Sequence, residues 1–180
     1  RVQLALPLAA SPIGDAFIPE SRLDDFQDRY PLDIFLCRDC GHVQLLDVID
    51  PNILYNDYIY TTTSSPGLPE HFKSYAVEVL SRVDLAKGSL AVDIGSNDGT
   101  LLKEFQSRGL KVLGVEPARV IAEKATTSGV ETLPSFFNAE TAEKIRGKHG
   151  PVSLVTANNL FANVDDLVNL VSNIRSLLAD

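Results

Sequence analysis

Residues 90–100 read Leu-Ala-Val-Asp-Ile-Gly-Ser-Asn-Asp-Gly-Thr, an apolar run that leads directly into a turn with two glycines. Short apolar runs bounded by turn residues are typical of strands that are buried on both faces of a parallel sheet. Gly95 permits a ligand to approach the backbone closely, and Gly99 permits the next helix to pack near the strand. This stretch therefore predicts a buried strand, a ligand-binding turn and a helix.

The chain after this turn alternates between strand and helix patterns, and an amphipathic helix over 69–83 precedes it. Such alternation forms right-handed βαβ units, so we predict an α/β domain with about four parallel strands. Asp165 is expected to cap the last helix, whose apolar side chains should face the core. Further strands are predicted at 112–115, 130–133 and 152–157, helices at 100–109, 117–128 and 138–146, and the core-facing residues of the last helix are Leu167, Val168, Val171, Ile174 and Leu178.

The first 65 residues have a different texture, because prolines recur too closely for long helices. Short strands are predicted at 34–36 and 43–46, on either side of a turn that contains Cys37 and Cys40. An aromatic loop over 55–60 and a linker over 61–67 follow. We therefore predict two domains, a small β module over 1–65 and an α/β domain over 66–180.

Composition excludes several classes of protein. The chain has 180 residues, a net charge of −8 and a pI near 4.8, the wrong sign for binding nucleic acid or an anionic membrane surface. Its apolar stretches are far shorter than the roughly 20 residues of a membrane span. Two cysteines cannot form a disulfide framework, so a soluble protein in the reducing cytoplasm is expected.

Charge indicates which ligand the glycine turn binds. Asp93 and Asp98 would repel a dinucleotide pyrophosphate, and the third glycine of the dinucleotide fingerprint is absent. The same carboxylates suit S-adenosylmethionine, which carries an ammonium and a sulfonium. Glu116 ends the next strand 23 residues after Asp93, where a ribose-binding acid is expected. In the structural alternative, Asp93 only caps the turn and Glu116 is a solvated strand end.

Residues 93–102, 114–118 and 156–162 resemble the class I methyltransferase core of the sugar C-methyltransferases, which act on nucleotide-linked keto-deoxysugars. Upstream, the segment Cys-Arg-Asp-Cys-Gly-His-Val-Gln-Leu at 37–45 is similar to the N-terminal zinc-binding module of that family. The resemblance covers nearly the whole chain. It implies a Rossmann-like class I methyltransferase core, present in part, after a small zinc-ribbon-like β module.

The resemblance implies S-adenosylmethionine as cofactor and assigns residues to it. The glycine turn would frame the methionine part, Glu116 would take the ribose hydroxyls and Phe136 would lie near the adenine, although Phe136 could equally be core. Asparagines end the fourth predicted strand, where ligands of open α/β sheets collect, and Tyr60 could cover the cofactor or plug the space between modules. The predicted cofactor-binding residues are Asp93, Gly95, Asn97, Asp98, Gly99, Glu116, Phe136, Asn158, Asn159 and Tyr60.

The sequence contains only half of the expected zinc ligands and has no base at the position where one is expected. Cys37 and Cys40 supply two thiolates, whereas structural zinc takes four ligands, and the family places another cysteine pair upstream. Methylation of carbon needs a base to form an enolate, and the position of a family histidine is occupied by Asn163, which cannot act as one. We therefore expect a piece of a longer gene product that binds cofactor but turns over little nucleotide-sugar substrate.

Two functions from other classes remain open at this point. A nicotinamide-dependent oxidoreductase would share the α/β fold but would bind a dinucleotide at the glycine turn. A non-enzymatic zinc-ribbon interaction module would make residues 1–65 the working part of the chain.

Overall fold

The computed structural model describes residues 1–14 and 16–178, which form two compact units, Arg1–Tyr58 and Ile59–Asp180. Asp15, Ala179 and Asp180, which fall within the two predicted domains, lie outside the described residues. The structure assigns residues 59–65 to the second unit. The domain boundary after residue 65 stays a prediction.

The first unit is built on a three-stranded antiparallel sheet in the order β1-β2-β3. Its strands are β1 (Val2–Leu6), β2 (Ile34–Cys37) and β3 (Val43–Gln44). Sequence patterns indicated β2 and β3 but missed β1, because its pairing is long-range, with Val2 opposite Cys37. A short helix that was not predicted, α1 (Pro51–Tyr55), directly precedes the expected aromatic loop, and Asp50 caps it by accepting the Asn52 N–H at 2.9 Å.

The second unit is a parallel sheet with helices on both faces, in the strand order β6-β5-β4-β7. This architecture confirms the predicted α/β class with four parallel strands. Its elements are α2 (Leu68–Arg82), β4 (Leu90–Ile94), α3 (Thr100–Ser107), β5 (Lys111–Val115), α4 (Arg119–Thr127), β6 (Thr132–Leu133), α5 (Ala139–His149), β7 (Leu154–Thr156) and α6 (Leu167–Leu177).

All five residues of β4 are buried, which explains why its sequence is continuously apolar around one acid. Alternate side chains point to opposite faces of the strand. Leu90, Val92 and Ile94 pack in one core cluster with residues of α5 and α6, and Ala91 packs in another with α2 and α3. The strand thereby fixes where its carboxyl end, and the glycine turn after it, lie in the sheet.

Two predictions about α6 are wrong. Its cap is Asp166, which accepts the Asn169 N–H at 3.0 Å, and not Asp165. The predicted core face is also displaced, although Ile174 packs inward as predicted, because the apolar face of this helix is wide and periodicity could not choose between two stripes on it. Leu170, Ile174 and Leu177 pack inward, whereas Leu167, Val168 and Val171 are 43%, 81% and 50% exposed.

The helix after β5 begins at Arg119 and not at Pro117 as predicted. Glu116 accepts the Ala118 N–H at 2.9 Å and Ala118 is extended, so the chain cannot turn helical earlier. Among the helices of the described residues, none is long and apolar enough to cross a membrane.

Candidate functional site

Asp93 is buried near the end of β4, with 4% of its surface exposed. It stands opposite Thr156 of β7, whose hydroxyl donates to Asp93 Oδ1 at 2.6 Å. The pKa of Asp93 is raised to about 7, mainly by burial and to a smaller extent by the negative charge of Glu116, while the Thr156 hydrogen bond acts to lower it. The alternative that Asp93 only caps the turn is wrong, because its carboxyl is bonded to the neighbouring strand.

Glu116 directly follows β5 and is also buried, at 5% exposure. Its Oε2 accepts the Asn97 N–H and its Oε1 accepts the Ala118 N–H, each at 2.9 Å. Burial raises the pKa of Glu116, and the two backbone hydrogen bonds limit the rise. The alternative of a solvated strand end is therefore wrong. Asp93 and Glu116 form a pair of interacting buried carboxyls at the carboxyl edge of the sheet.

The glycine turn between them has the backbone that its sequence predicts. Gly95 and Gly99 have φ values of +75° and +76°, in the left-handed region that favours glycine. The N–H groups of Gly95 and Ser96 donate to the Val115 carbonyl, which ties the turn to β5. At Gly99 a Cβ would lie 3.1 Å from the Val130 side chain, so this glycine also permits close packing.

The side chains of Asn97 and Asp98 form hydrogen bonds with other residues of the protein. Asn97 bonds the backbone of Tyr60 and Thr62, and Asp98 bonds Thr63 and Thr100. Burial acts to raise the pKa of Asp98, but its hydrogen bonds with Thr100 and Thr63 outweigh burial and hold it below the usual value. Their predicted contact with the cofactor stays a prediction.

The two asparagines after β7 are in different environments. Asn158 is half-buried, and its Nδ2 is a buried donor that has no hydrogen-bond partner among residues 1–14 and 16–178. Asn159 is exposed and left-handed, with φ +55°, and its carbonyl accepts from Asn163 Nδ2 at 3.1 Å. Of the two asparagines, Asn158 is therefore the one whose side-chain N–H group needs a hydrogen-bond acceptor from outside the described residues.

The aromatic candidates lie at other points of the second unit. Phe136 is half-buried, and its neighbour Phe137 is the one that packs against the core. The Tyr60 hydroxyl lies 2.9 Å from Ser65 Oγ. Their predicted contacts with adenine and cofactor stay predictions.

Sequence reasoning missed three features that shape the site. Thr156 carried no signal, because its partnership with Asp93 depends on the register of two strands 63 residues apart. Thr62 and Thr63 looked like an ordinary linker. Gly114 is required by space, because a Cβ there would lie 2.7 Å from Thr132 Oγ1 and closer still to Ser96 Oγ.

In the first unit, Cys37 is half-buried and Cys40 is exposed. Hydrogen bonds from the backbone N–H groups of Asp39 and Cys40 lower the pKa of the Cys37 thiol. This favours the thiolate that a metal requires. However, no cluster of three or more His, Cys, Asp or Glu side chains able to hold a metal occurs in the described part of the chain. Two thiolates alone do not fit a tetrahedral zinc site.

Two family models match the chain. One, described as "Putative zinc binding domain", matches residues 1–55, and the other, described as "Methyltransferase domain", matches residues 70–180. The chain is also 35% identical over 175 residues to the C-methyltransferase NovU of Streptomyces niveus. This alignment covers 96% of the chain and 40% of NovU, so the chain spans less than half the length of this curated relative.

Solved structures of methyltransferases are similar to the chain at low identity. Magnesium protoporphyrin IX methyltransferase from Synechocystis PCC 6803 aligns with 62% of this chain and 55% of its own, at 15% identity and a TM-score of 0.48. A methyltransferase from Geobacter sulfurreducens aligns with 62% of this chain and 45% of its own, at 14% identity and a TM-score of 0.44. The match over residues 70–180 covers more than half of the chain, which therefore belongs to the methyltransferase-domain family.

Proposed function

We propose that the protein is an S-adenosylmethionine-dependent C-methyltransferase and that the second unit carries the cofactor site. The observation that supports this most strongly is the buried pair of Asp93 and Glu116 at the carboxyl ends of β4 and β5. Ligands of open α/β sheets bind at this edge. Two carboxyls there oppose a pyrophosphate and favour a ligand with positive charge, which disfavours the dinucleotide alternative.

The donors and acceptors of the site fit this cofactor. Each Glu116 oxygen accepts one backbone N–H, and a carboxylate oxygen has a second lone pair that can accept a ribose hydroxyl. The buried Nδ2 of Asn158 offers a donor that suits an anionic ligand group. When bound, S-adenosylmethionine supplies an electrophilic methyl group. Glu116 would hold the ribose, and the ionised form of Asp93 would balance the positive charge of the cofactor.

For the acceptor, we propose a nucleotide-linked keto-deoxysugar that is methylated on carbon through an enolate. The support is the resemblance of the sequence to sugar C-methyltransferases. Asn163, at the position of a family histidine, is a neutral amide whose Nδ2 donates to Asn159, so the proton that enolate formation releases has to pass to a base other than Asn163. When the full protein is incubated with substrate in D₂O, enolate formation would replace a C–H hydrogen of the substrate by deuterium. Mass spectrometry of the recovered substrate would detect this exchange. The two free cysteines fit a cytoplasmic location.

Isothermal titration calorimetry tests the cofactor directly. We expect the chain to bind S-adenosylhomocysteine and not NADH. Replacing Glu116 by Gln removes one carboxylate acceptor and should weaken S-adenosylhomocysteine binding by about tenfold. The matched control is Glu123→Gln, on the exposed side of α4. Binding of NADH, or equal affinity of wild type and Glu116→Gln, would contradict the proposal.

A further inference from the structure

The segment over residues 60–64, which we call the strap, lies on the glycine turn through hydrogen bonds to the Asn97 side chain. Asn97 Oδ1 accepts the Thr62 N–H at 2.8 Å, and Asn97 Nδ2 donates to the Tyr60 carbonyl at 2.9 Å. One amide side chain thus pairs with a backbone acceptor at Tyr60 and with the backbone donor of Thr62, which begins a short 3₁₀ helix over Thr62–Ser64. Thr62 is buried at 6% exposure, so its N–H needs such a partner.

Asp98 holds the next residue of the strap. Its Oδ2 accepts the Thr63 N–H at 3.0 Å and the Thr63 hydroxyl at 2.9 Å. Its Oδ1 accepts the hydroxyl and N–H of Thr100 at the start of α3. Both oxygens are therefore occupied by protein donors, which leaves Asp98 poorly suited to contact a ligand directly.

Asn97 also links the strap to the proposed ribose-binding acid. Its backbone is left-handed, at φ +49°, a conformation that asparagine tolerates better than most residues. In this conformation its N–H donates to Glu116 Oε2, while its side chain holds the strap. Three hydrogen bonds of a single residue, one to Glu116 and one each to Tyr60 and Thr62, therefore join Glu116 to the strap.

We infer that Asn97 and Asp98 are positioning residues that serve the cofactor site through the strap and not by touching the cofactor. This inference rests on the proposed function. If cofactor binding fixes Glu116, and Glu116 fixes Asn97, then cofactor binding stabilises the docked strap. Reciprocity requires that the docked strap strengthen cofactor binding by the same factor.

Hydrogen exchange and calorimetry together test this arrangement. Asn97→Gly keeps the left-handed backbone but removes both strap contacts. It should speed exchange of the Thr62 and Thr63 amides by about tenfold and weaken S-adenosylhomocysteine binding by a similar factor. In the wild type, S-adenosylhomocysteine should slow exchange of the same two amides. Circular dichroism checks that the variant is folded.

A double-mutant cycle between Asp98→Asn and Thr63→Ala gives a second test that does not depend on Asn97→Gly. If Asp98 acts through Thr63, the double variant should bind S-adenosylhomocysteine no more weakly than Asp98→Asn alone. The matched control is Asp166→Asn, which alters another helix-capping aspartate that makes no contact with the strap.

Three outcomes would overturn the inference while the proposed function stands. Asn97→Gly could weaken binding without changing exchange of the strap amides, which would indicate direct contact with the cofactor. It could release the strap without changing affinity, which would exclude the strap from the site. The two changes in the cycle could also be additive. Failure of the wild type to bind S-adenosylhomocysteine would instead remove the proposed function and this inference together.

Discussion

Because the Asp93 side chain is buried, the folded state favours its protonated, neutral form. Its pKa rises from 3.8 in the unfolded reference to about 7 in the fold, so between these values the folded chain holds a proton that the unfolded chain has lost. Its contribution to stability is therefore complete below pH 3.8 and is lost as pH rises to about 7. The raised pKa of Glu116 acts in the same direction.

Asp93→Asn should remove the part of this pH dependence that comes from Asp93 and leave the part that comes from Glu116. The amide oxygen can still accept the Thr156 hydroxyl, and no charge is buried at high pH. Compared with wild type, we expect the variant to gain up to about 4 kcal/mol as pH rises from 4 to 8. Urea unfolding across this range measures the difference. Asp84→Asn, at an exposed position, is the control, and a difference that does not vary with pH would refute the assignment.

Gly114 provides a test of packing below the glycine turn. Gly114→Ala would drive a methyl group against Ser96 Oγ and Thr132 Oγ1, and should cost about 1–3 kcal/mol of unfolding free energy. Adding Ser96→Ala removes one obstacle and should restore part of the loss. Gly147→Ala is the contrast, because a Cβ there meets nothing within 4 Å and α5 should gain about 1 kcal/mol. Equal effects at the two glycines would rule out the packing argument.

Among single residues, the sequence identified those whose type is unusual for their position. Acids in apolar surroundings and glycines after a strand stand out, and Asp93, Glu116 and Gly95 lie at one edge of the sheet as expected. Ordinary residues that act through tertiary contacts do not stand out. Thr62 and Thr156 are examples, because nothing in their local sequence announces their partners.

The cap of α6 makes an element-scale prediction that separates two adjacent acids. Asp166→Ala should lower the unfolding free energy by about 1 kcal/mol, because the Asn169 N–H loses its acceptor. Asp165→Ala should change it by less than about 0.5 kcal/mol. Thermal unfolding of the two variants compares them directly. A larger loss at Asp165 would return the cap to the position that the sequence indicated.

A helix or strand was predictable from the sequence where its pattern of apolar residues fits only one type of element. The bounds of β4 match the expectation, because a strand buried on both faces shows as a short uninterrupted apolar run. The inward stripe of α6 was not predictable, since valines and leucines form a wide apolar face on the helix and only the packing of Leu170 and Leu177 shows which part of that face is buried. The strand β1 depends on a partner that is distant in sequence.

For the whole molecule, the property that is simplest to predict and measure is its zinc content. Two thiolates should hold zinc weakly, so this chain should carry well under one zinc per molecule, and a chelator should leave its thermal unfolding unchanged. Atomic absorption and calorimetric melts measure both. The Cys37→Ser variant should melt like wild type. A melting temperature that falls on chelation would show that Cys37 and Cys40 recruit further ligands.

The division into two units of different texture was visible in the sequence, because prolines crowd the first part and strand–helix alternation fills the second. The residue at which one unit passes into the other was less visible. Residues 61–63 look like a polar linker, yet the backbone N–H groups of Thr62 and Thr63 donate to the side chains of Asn97 and Asp98. Composition does not report such side-chain anchoring.

The position of β7 at the end of the strand order also affects how the chain behaves in concentrated solution. One side of β7 pairs with β4, and among the described residues the other side has no strand partner, since the parallel bridge between Val152 and Leu178 lies just before β7. Peptide groups left open along a strand are a template for a strand from another molecule. Samples of this chain should therefore scatter more light as concentration rises, and a lysine introduced at Ser153 should suppress that self-association.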